Sequence, residues 1–198
     1  MKKINFLRSI ATAAMMATIA SAQAHTGHGT SSLFEGLVHP FGLDHLLAMV
    51  AVGVWSVKAL PANKAWWGPS AFMLALMLGA VAGAMGVTVP YLEHAVSLSV
   101  MLFGVMLVFA RVQMPIAAGL CLVAVAASLH GLAHGSEAPE SGFAGYATGF
   151  LLATAALHIG GMAIGLGIRR YLANKAAWVL GGLGACYGGA GAYLLSQL

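Results

Sequence analysis

The sequence predicts an all-α, polytopic integral membrane protein with six transmembrane helices that follow a cleaved signal peptide. Three observations lead there. Hydrophobic residues make up 60% of the 198 positions and charged residues only 7%, and the mean hydropathy is +0.89. A soluble domain carries about 25% charged residues, so this chain cannot clothe itself in a hydrated charged surface. The apolar residues fall into six stretches, each near the ~20 residues that a membrane-crossing helix needs. The basic residues sort to alternate connections between those stretches. The 26 glycines agree with membrane helices. No segments of about ten residues alternate in hydrophobicity, which argues against a β-barrel. Nothing in the charge pattern points to nucleic acid.

Residues 1–24 read as a signal peptide. Lys2, Lys3 and Arg8 form a basic start, an apolar run covers 10–19, and Ala22-Gln23-Ala24 has the form of a cleavage site. Removal leaves six basic against five acidic residues, a net +1. Residues 25–34 are a polar lead-in. Cleavage would make His25 the new terminus, where its amine and imidazole, with His28, could capture a metal ion.

The transmembrane domain is 35–198. Its apolar segments are 35–57, 66–85, 91–110, 115–134, 142–168 and 177–195. Unpaired backbone groups are not tolerated in lipid, so all six are expected as helices. With the mature N-terminus outside the cytoplasm, Lys58, Lys64, Arg111, Arg169, Arg170 and Lys175 all fall on the cytoplasmic side, and Glu35, Glu137 and Glu140 on the other. This is the positive-inside pattern. It places both mature termini on the side away from the cytoplasm. Trp66, Trp67 and Trp178 stand at the inner boundary as an aromatic belt. Cys121 and Cys186 lie within apolar segments and read as small buried hydrophobes without a disulfide framework. Glycines four apart (Gly79/Gly83, Gly145/Gly149, Gly161/Gly165, Gly184/Gly188) read as helix contact faces.

Ionisable groups are costly in a membrane and mark function by default. The first apolar segment opens His39-Pro40-Phe41-Gly42-Leu43-Asp44-His45, with the chain's one aspartate. The fourth ends Leu129-His130-Gly131-Leu132-Ala133-His134-Gly135-Ser136-Glu137. His130 and His134 share a face at i,i+4, and Glu137 extends it if the helix passes Gly135. Glu93, just after Pro90, either complements the helix dipole or attracts a cation to the outer mouth. His158 is the deepest imidazole, either bonded to a neighbouring backbone or hydroxyl group or part of a path. His94 is interfacial and takes no role. Read by depth, these groups form a descending series from the outer face. Imidazole with carboxylate suits Ni, Co, Zn, Cu or Fe(II), and thiolate ligands are missing. A series of moderate sites is what conduction of a divalent cation requires.

The stretches HPFGLDHLLAM, PYLEHAVSLSVMLFG, LHGLAHGSE and GFLLATAALHIGG resemble the HupE/UreJ family of nickel permeases, in order and over essentially the whole mature chain. The resemblance implies uptake of Ni²⁺, in some members Co²⁺, across the inner membrane to supply hydrogenase or urease. It implies functional roles for His39, Asp44, His45, Glu93, His130, His134, Glu137 and His158. The metal would be the transported substrate, with no permanently bound cofactor and no enzymatic activity. One departure stands out: the family usually reads H-P-x-x-G-x-D-H, and this chain is one residue shorter between His39 and Asp44. In an unbroken helix a spacing of six turns His39 and His45 apart by about 120°, unless Pro40 and Gly42 bend the segment.

Two other readings compete. A membrane metalloenzyme, a zinc hydrolase or a di-iron oxidase, would use the i,i+4 histidines with Asp44 or Glu137 as base, but catalytic zinc needs about three ligands gathered in one place. A haem-binding carrier would use axial histidines. The expected partners are a divalent metal ion and the lipid bilayer, and a homo-oligomer stays open.

Overall fold

Apolar runs without a hydrated alternative close their own backbone hydrogen bonds as helices. The computed structural model describes residues 32–112, 114–137 and 143–198. Among them there are helices and short turns and no strand. We label the helices α1 (Ser32–Val38), α2 (Leu43–Ala59), α3 (Trp67–Ala84), α4 (Leu92–Val108), α5 (Ile116–Ser136), α6 (Phe143–Tyr171) and α7 (Ala176–Leu195). Residues 1–31 lie outside the described part, and with them the expected signal peptide, His25 and His28.

The first expected segment is not one helix. α1 and α2 meet at a 75° bend, across a 3-10 turn at His39–Phe41 and Gly42, whose ψ of 141° leaves the helical region. Proline lacks an amide donor, and the residue before it resists the helical conformation, so the chain turns at Pro40. At the other ends the helices run slightly past or short of expectation. α4 begins only after Tyr91, which sits at φ 57° in the left-handed region. α5 continues through Gly135 to Ser136, with Glu137 as its cap.

Three helical stretches are long and apolar enough to cross a bilayer: Ala62–Ala84, Ile116–Ser136 and Phe143–Tyr171. The bent α1–α2 pair makes up to four. α4, apolar but seventeen residues long, spans about 26 Å at 1.5 Å per residue, a little under a hydrocarbon core of about 30 Å.

α2 lies at the centre. Ten of its seventeen residues are buried, more than one stripe supplies, as a helix surrounded by neighbours requires. It packs on α6, α4 and α3, while α3 pairs with α5, α4 with α7, and α1 with α6. Glycines set these distances. A Cβ on Gly131 or Gly135 would collide with the carbonyls of Leu76 and Ala80, and one on Gly79 or Gly83 with those of Ser128 and Leu132. Gly53 and Gly161 bring α2 and α6 together in the same way. Gly188, by contrast, faces open space. Met49, Phe72, Leu76, Val100, Phe103 and Leu107 form the middle of the core.

The outer faces are apolar: Leu78, Val125 and Leu152 are exposed, as lipid contact demands. Cys121 and Cys186 belong to these faces and are exposed free thiols, which corrects the expectation of burial. Their helices are apolar all round, so composition could not say which face is covered. The ends of the bundle differ in charge. Lys58 lies within the fields of Arg111 and Arg169, and Lys64 Nζ sits 4.5 Å over the Trp67 ring. Asp44, Glu93 and Glu137 occupy the opposite end.

Candidate functional site

The bend at Pro40–Gly42 lets the two histidines of the first motif meet one partner. Six residues apart on a continuous helix they would diverge. Here the His39 and His45 rings stand 4.5 Å and 4.0 Å from the ring of His134, centroid to centroid. The shortened spacing is thus absorbed by the break in the helix. His45 also meets His130 at 4.4 Å, so His39, His134, His45 and His130 form a continuous chain of rings.

Among the described residues two trios can be drawn, each with ligand atoms within 4.8 Å of one another: His39, His134 and Glu137, and Asp44, His45 and His130. Each offers two nitrogens and one carboxylate. The first is the more open, since Glu137 is exposed and His39 half-buried, whereas His130 and His45 are buried. His39 Nε2 lies 3.7 Å from Glu137 Oε2. Partial shielding from water raises the Glu137 carboxyl above the ordinary carboxylate range, and the negative charge of Glu93 adds to the rise.

Hydrogen bonds decide which imidazole nitrogens are free. A carboxylate only accepts, so the 2.9 Å contact between His45 Nδ1 and Asp44 Oδ2 has His45 donating. Its buried Nε2 has no partner, so in the neutral imidazole that nitrogen carries the lone pair. A histidine oriented by a carboxylate on its far nitrogen is a recurring arrangement in metal sites. His134 has no hydrogen-bond partner on either ring nitrogen. The Ser99 hydroxyl lies 2.8 Å from His130 Nε2, while His130 Nδ1 is buried without a partner.

The remaining expected residues fall outside the trios. Glu93 is exposed on the first turn of α4 and acts on Glu137 only through its charge. His94 is exposed against Tyr91, rings 5.5 Å apart. His158 is fully buried and donates from Nδ1 to the Thr154 carbonyl at 2.9 Å, leaving Nε2 unpartnered. It belongs to neither trio. Phe72 contacts both sides, 6.1 Å from His130 and 4.8 Å from His158. His158 also borders a groove of about 380 Å³ with Trp66, Met73, Met77 and Ile159. The expected descending series is therefore a compact cluster of six residues, with Glu93 exposed outside it and His158 a separate deep imidazole.

Sequence reasoning missed Ser99, Phe72, Tyr146 and Phe150. Phe150 packs 4.3 Å from the His134 ring, and Tyr146 lies 5.6 Å from that of His39. A hydroxyl in an apolar helix was the one available signal, and it marks Ser99 and Tyr146 but neither phenylalanine.

Fold and cluster together define a multi-pass helical membrane protein that gathers imidazoles and carboxylates at the acidic end of its bundle. The sequence model of the HupE / UreJ protein family matches residues 13–194. Protein HupE of Rhizobium leguminosarum bv. viciae is 39% identical over 171 residues, which cover 85% of this chain and 86% of that one. No solved structure matches the chain. The chain belongs to the HupE/UreJ family. That family is one of metal permeases, so its role lies in transition-metal transport and not in catalysis.

Proposed function

We propose that this protein takes up Ni²⁺ across the bacterial inner membrane, from the periplasm, for delivery to nickel enzymes such as hydrogenase or urease. The observation that carries this reading is the pair of adjoining His/His/carboxylate trios, joined through His134. Three ligands of borderline softness hold a divalent first-row ion. They leave coordination positions for water, so the ion binds without being trapped, as conduction requires. The outer trio receives the ion, and the exchange to His45 and His130 passes over His134, whose two nitrogens are both unpartnered. The opposed charge of the two bundle ends supports entry at the acidic end, with the basic end toward the cytoplasm. The same reading counts six membrane crossings, with the α1–α2 pair as the first. It places both mature termini in the periplasm and takes 1–24 as a removed signal. The alternative of a metalloenzyme gains nothing from the family relationship.

The test is uptake of radioactive nickel into proteoliposomes containing the purified protein, with cobalt and zinc as competitors. Saturable uptake above empty vesicles, lost in His134→Ala at equal protein content, is expected. Uptake no greater than that of empty vesicles under every gradient tried would refute the proposal, and strong preference for cobalt would reassign the substrate.

A further inference from the structure

We infer that Ser99, on α4, is a positioning residue that fixes the tautomer of His130 and leaves Nδ1 as the bare nitrogen of that ring. The inference rests on the metal-permease reading for its consequence but not for its geometry.

Ser99 is buried, and its hydroxyl has two neighbours: the Val96 carbonyl at 2.7 Å and His130 Nε2 at 2.8 Å. A hydroxyl carries a single proton, and a carbonyl oxygen can only accept. A hydroxyl proton directed at Val96 is not available to His130. The short contact with the imidazole is then a bond in which His130 Nε2–H donates to Ser99 Oγ. The other end of the ring gives the same answer independently. His130 Nδ1 is buried and lacks any acceptor, so a proton there would be a buried unsatisfied donor, an arrangement folded proteins avoid. With the proton on Nε2, both the hydroxyl and the ring are satisfied and Nδ1 keeps its lone pair.

That lone pair is the atom a metal ion uses. His130 is one of the two imidazoles of the inner trio, and its Nε2 is occupied by Ser99. Nδ1 is the remaining ligand atom. His45 is held by Asp44 and His158 by the Thr154 carbonyl in the corresponding way. Each of these three imidazoles thus has one nitrogen tied to an acceptor and one bare. Ser99 differs from the other two acceptors in coming from a neighbouring helix. It couples the α4–α5 contact to the orientation of a ligand on α5. Loss of such an outer partner typically weakens metal binding 10–100-fold.

The experiment compares wild type, Ser99→Ala, Ser99→Thr and Ser99→Cys, purified in detergent with ¹⁵N-labelled histidine. The ring nitrogen signals of His130 are assigned by loss in His130→Gln. In metal-free wild type, His130 should be a single Nε2–H species. Ser99→Ala should give a mixture or the opposite tautomer and lower Ni²⁺ affinity about 10–100-fold. Ser99→Thr, which keeps the hydroxyl, should restore both readouts. Ser99→Cys, close in shape with a weak hydrogen-bonding group, stands in should the alanine variant not accumulate. A wild-type His130 protonated at Nδ1, or a tautomer and affinity indifferent to loss of the hydroxyl, would overturn the inference. The tautomer is read without metal. A protein with the expected tautomer that binds no nickel would count against the proposed function and leave the Ser99 assignment standing.

Discussion

Asp44→Asn is the most discriminating change at the cluster. The side chain keeps its shape but loses its charge, and its amide can present either an acceptor or a donor to His45 Nδ1, which now donates to Oδ2 at 2.9 Å. Hydrogen bonds to a charged group contribute about 1.5–3 kcal/mol, against about 0.5–1.5 kcal/mol for neutral pairs. The direct loss is therefore on the order of 1–1.5 kcal/mol, or close to tenfold in affinity. Rotation of the amide to donate would also move the His45 proton to Nε2, the nitrogen that is otherwise bare, and block a ligand. Removing an orienting partner costs roughly 10–100-fold in metal affinity. If the Asp44 oxygen also binds the ion, as membership of the inner trio allows, the loss exceeds that range. The assay is initial nickel uptake against concentration in proteoliposomes, with membrane abundance measured in parallel. The half-saturating concentration should rise by at least about tenfold at unchanged abundance. A half-saturating concentration equal to wild type would show that the Asp44–His45 pair neither orients nor binds.

Glu137 is raised by partial shielding from water and by the Glu93 charge, so it takes up a proton at higher pH than an ordinary carboxylate. Uptake should therefore decline on mild acidification, and Glu93→Gln, which removes one raising charge, should move that decline to lower pH. Gly161→Val would drive a side chain into the Val50 backbone, whereas Gly160 faces open space. The first should lower folded protein in membranes, by the ~1–3 kcal/mol typical of overpacking, and Gly160→Ala should leave it unchanged, both read by detergent-solubilised yield and thermal stability. Phe72 touches the rings of His130 and His158 but belongs to neither trio. Phe72→Leu should alter the maximal uptake rate more than the half-saturating concentration. Equal effects on both would mean that Phe72 supports the cluster and does not separate it from His158.

Much of this protein was legible in the chain because lipid punishes polar groups. That rule alone picks out helical segments, places basic residues at one end, and marks His39, Asp44, His45, His130, His134 and Glu137 as unusual. The pairing of His130 with His134 is a property of one helix and needs no tertiary information. What the sequence could not determine is which helices touch. The 75° bend brings His39 back to His134, and it follows from Pro40 and Gly42 only once α1 has somewhere to pack, which is α6. Glu93 stays outside the trios because α4 starts after Tyr91 and points that side chain outward. His158 belongs to neither trio, and the Phe72 ring of a third helix lies near both it and His130. Ser99 acquires its meaning from a contact thirty-one residues away in sequence. Periodicity encodes the face of a helix, whereas a ligand set is drawn from several faces. Their meeting depends on glycine contacts whose partners, such as Leu76 with Gly131 and Val50 with Gly161, only the folded bundle selects.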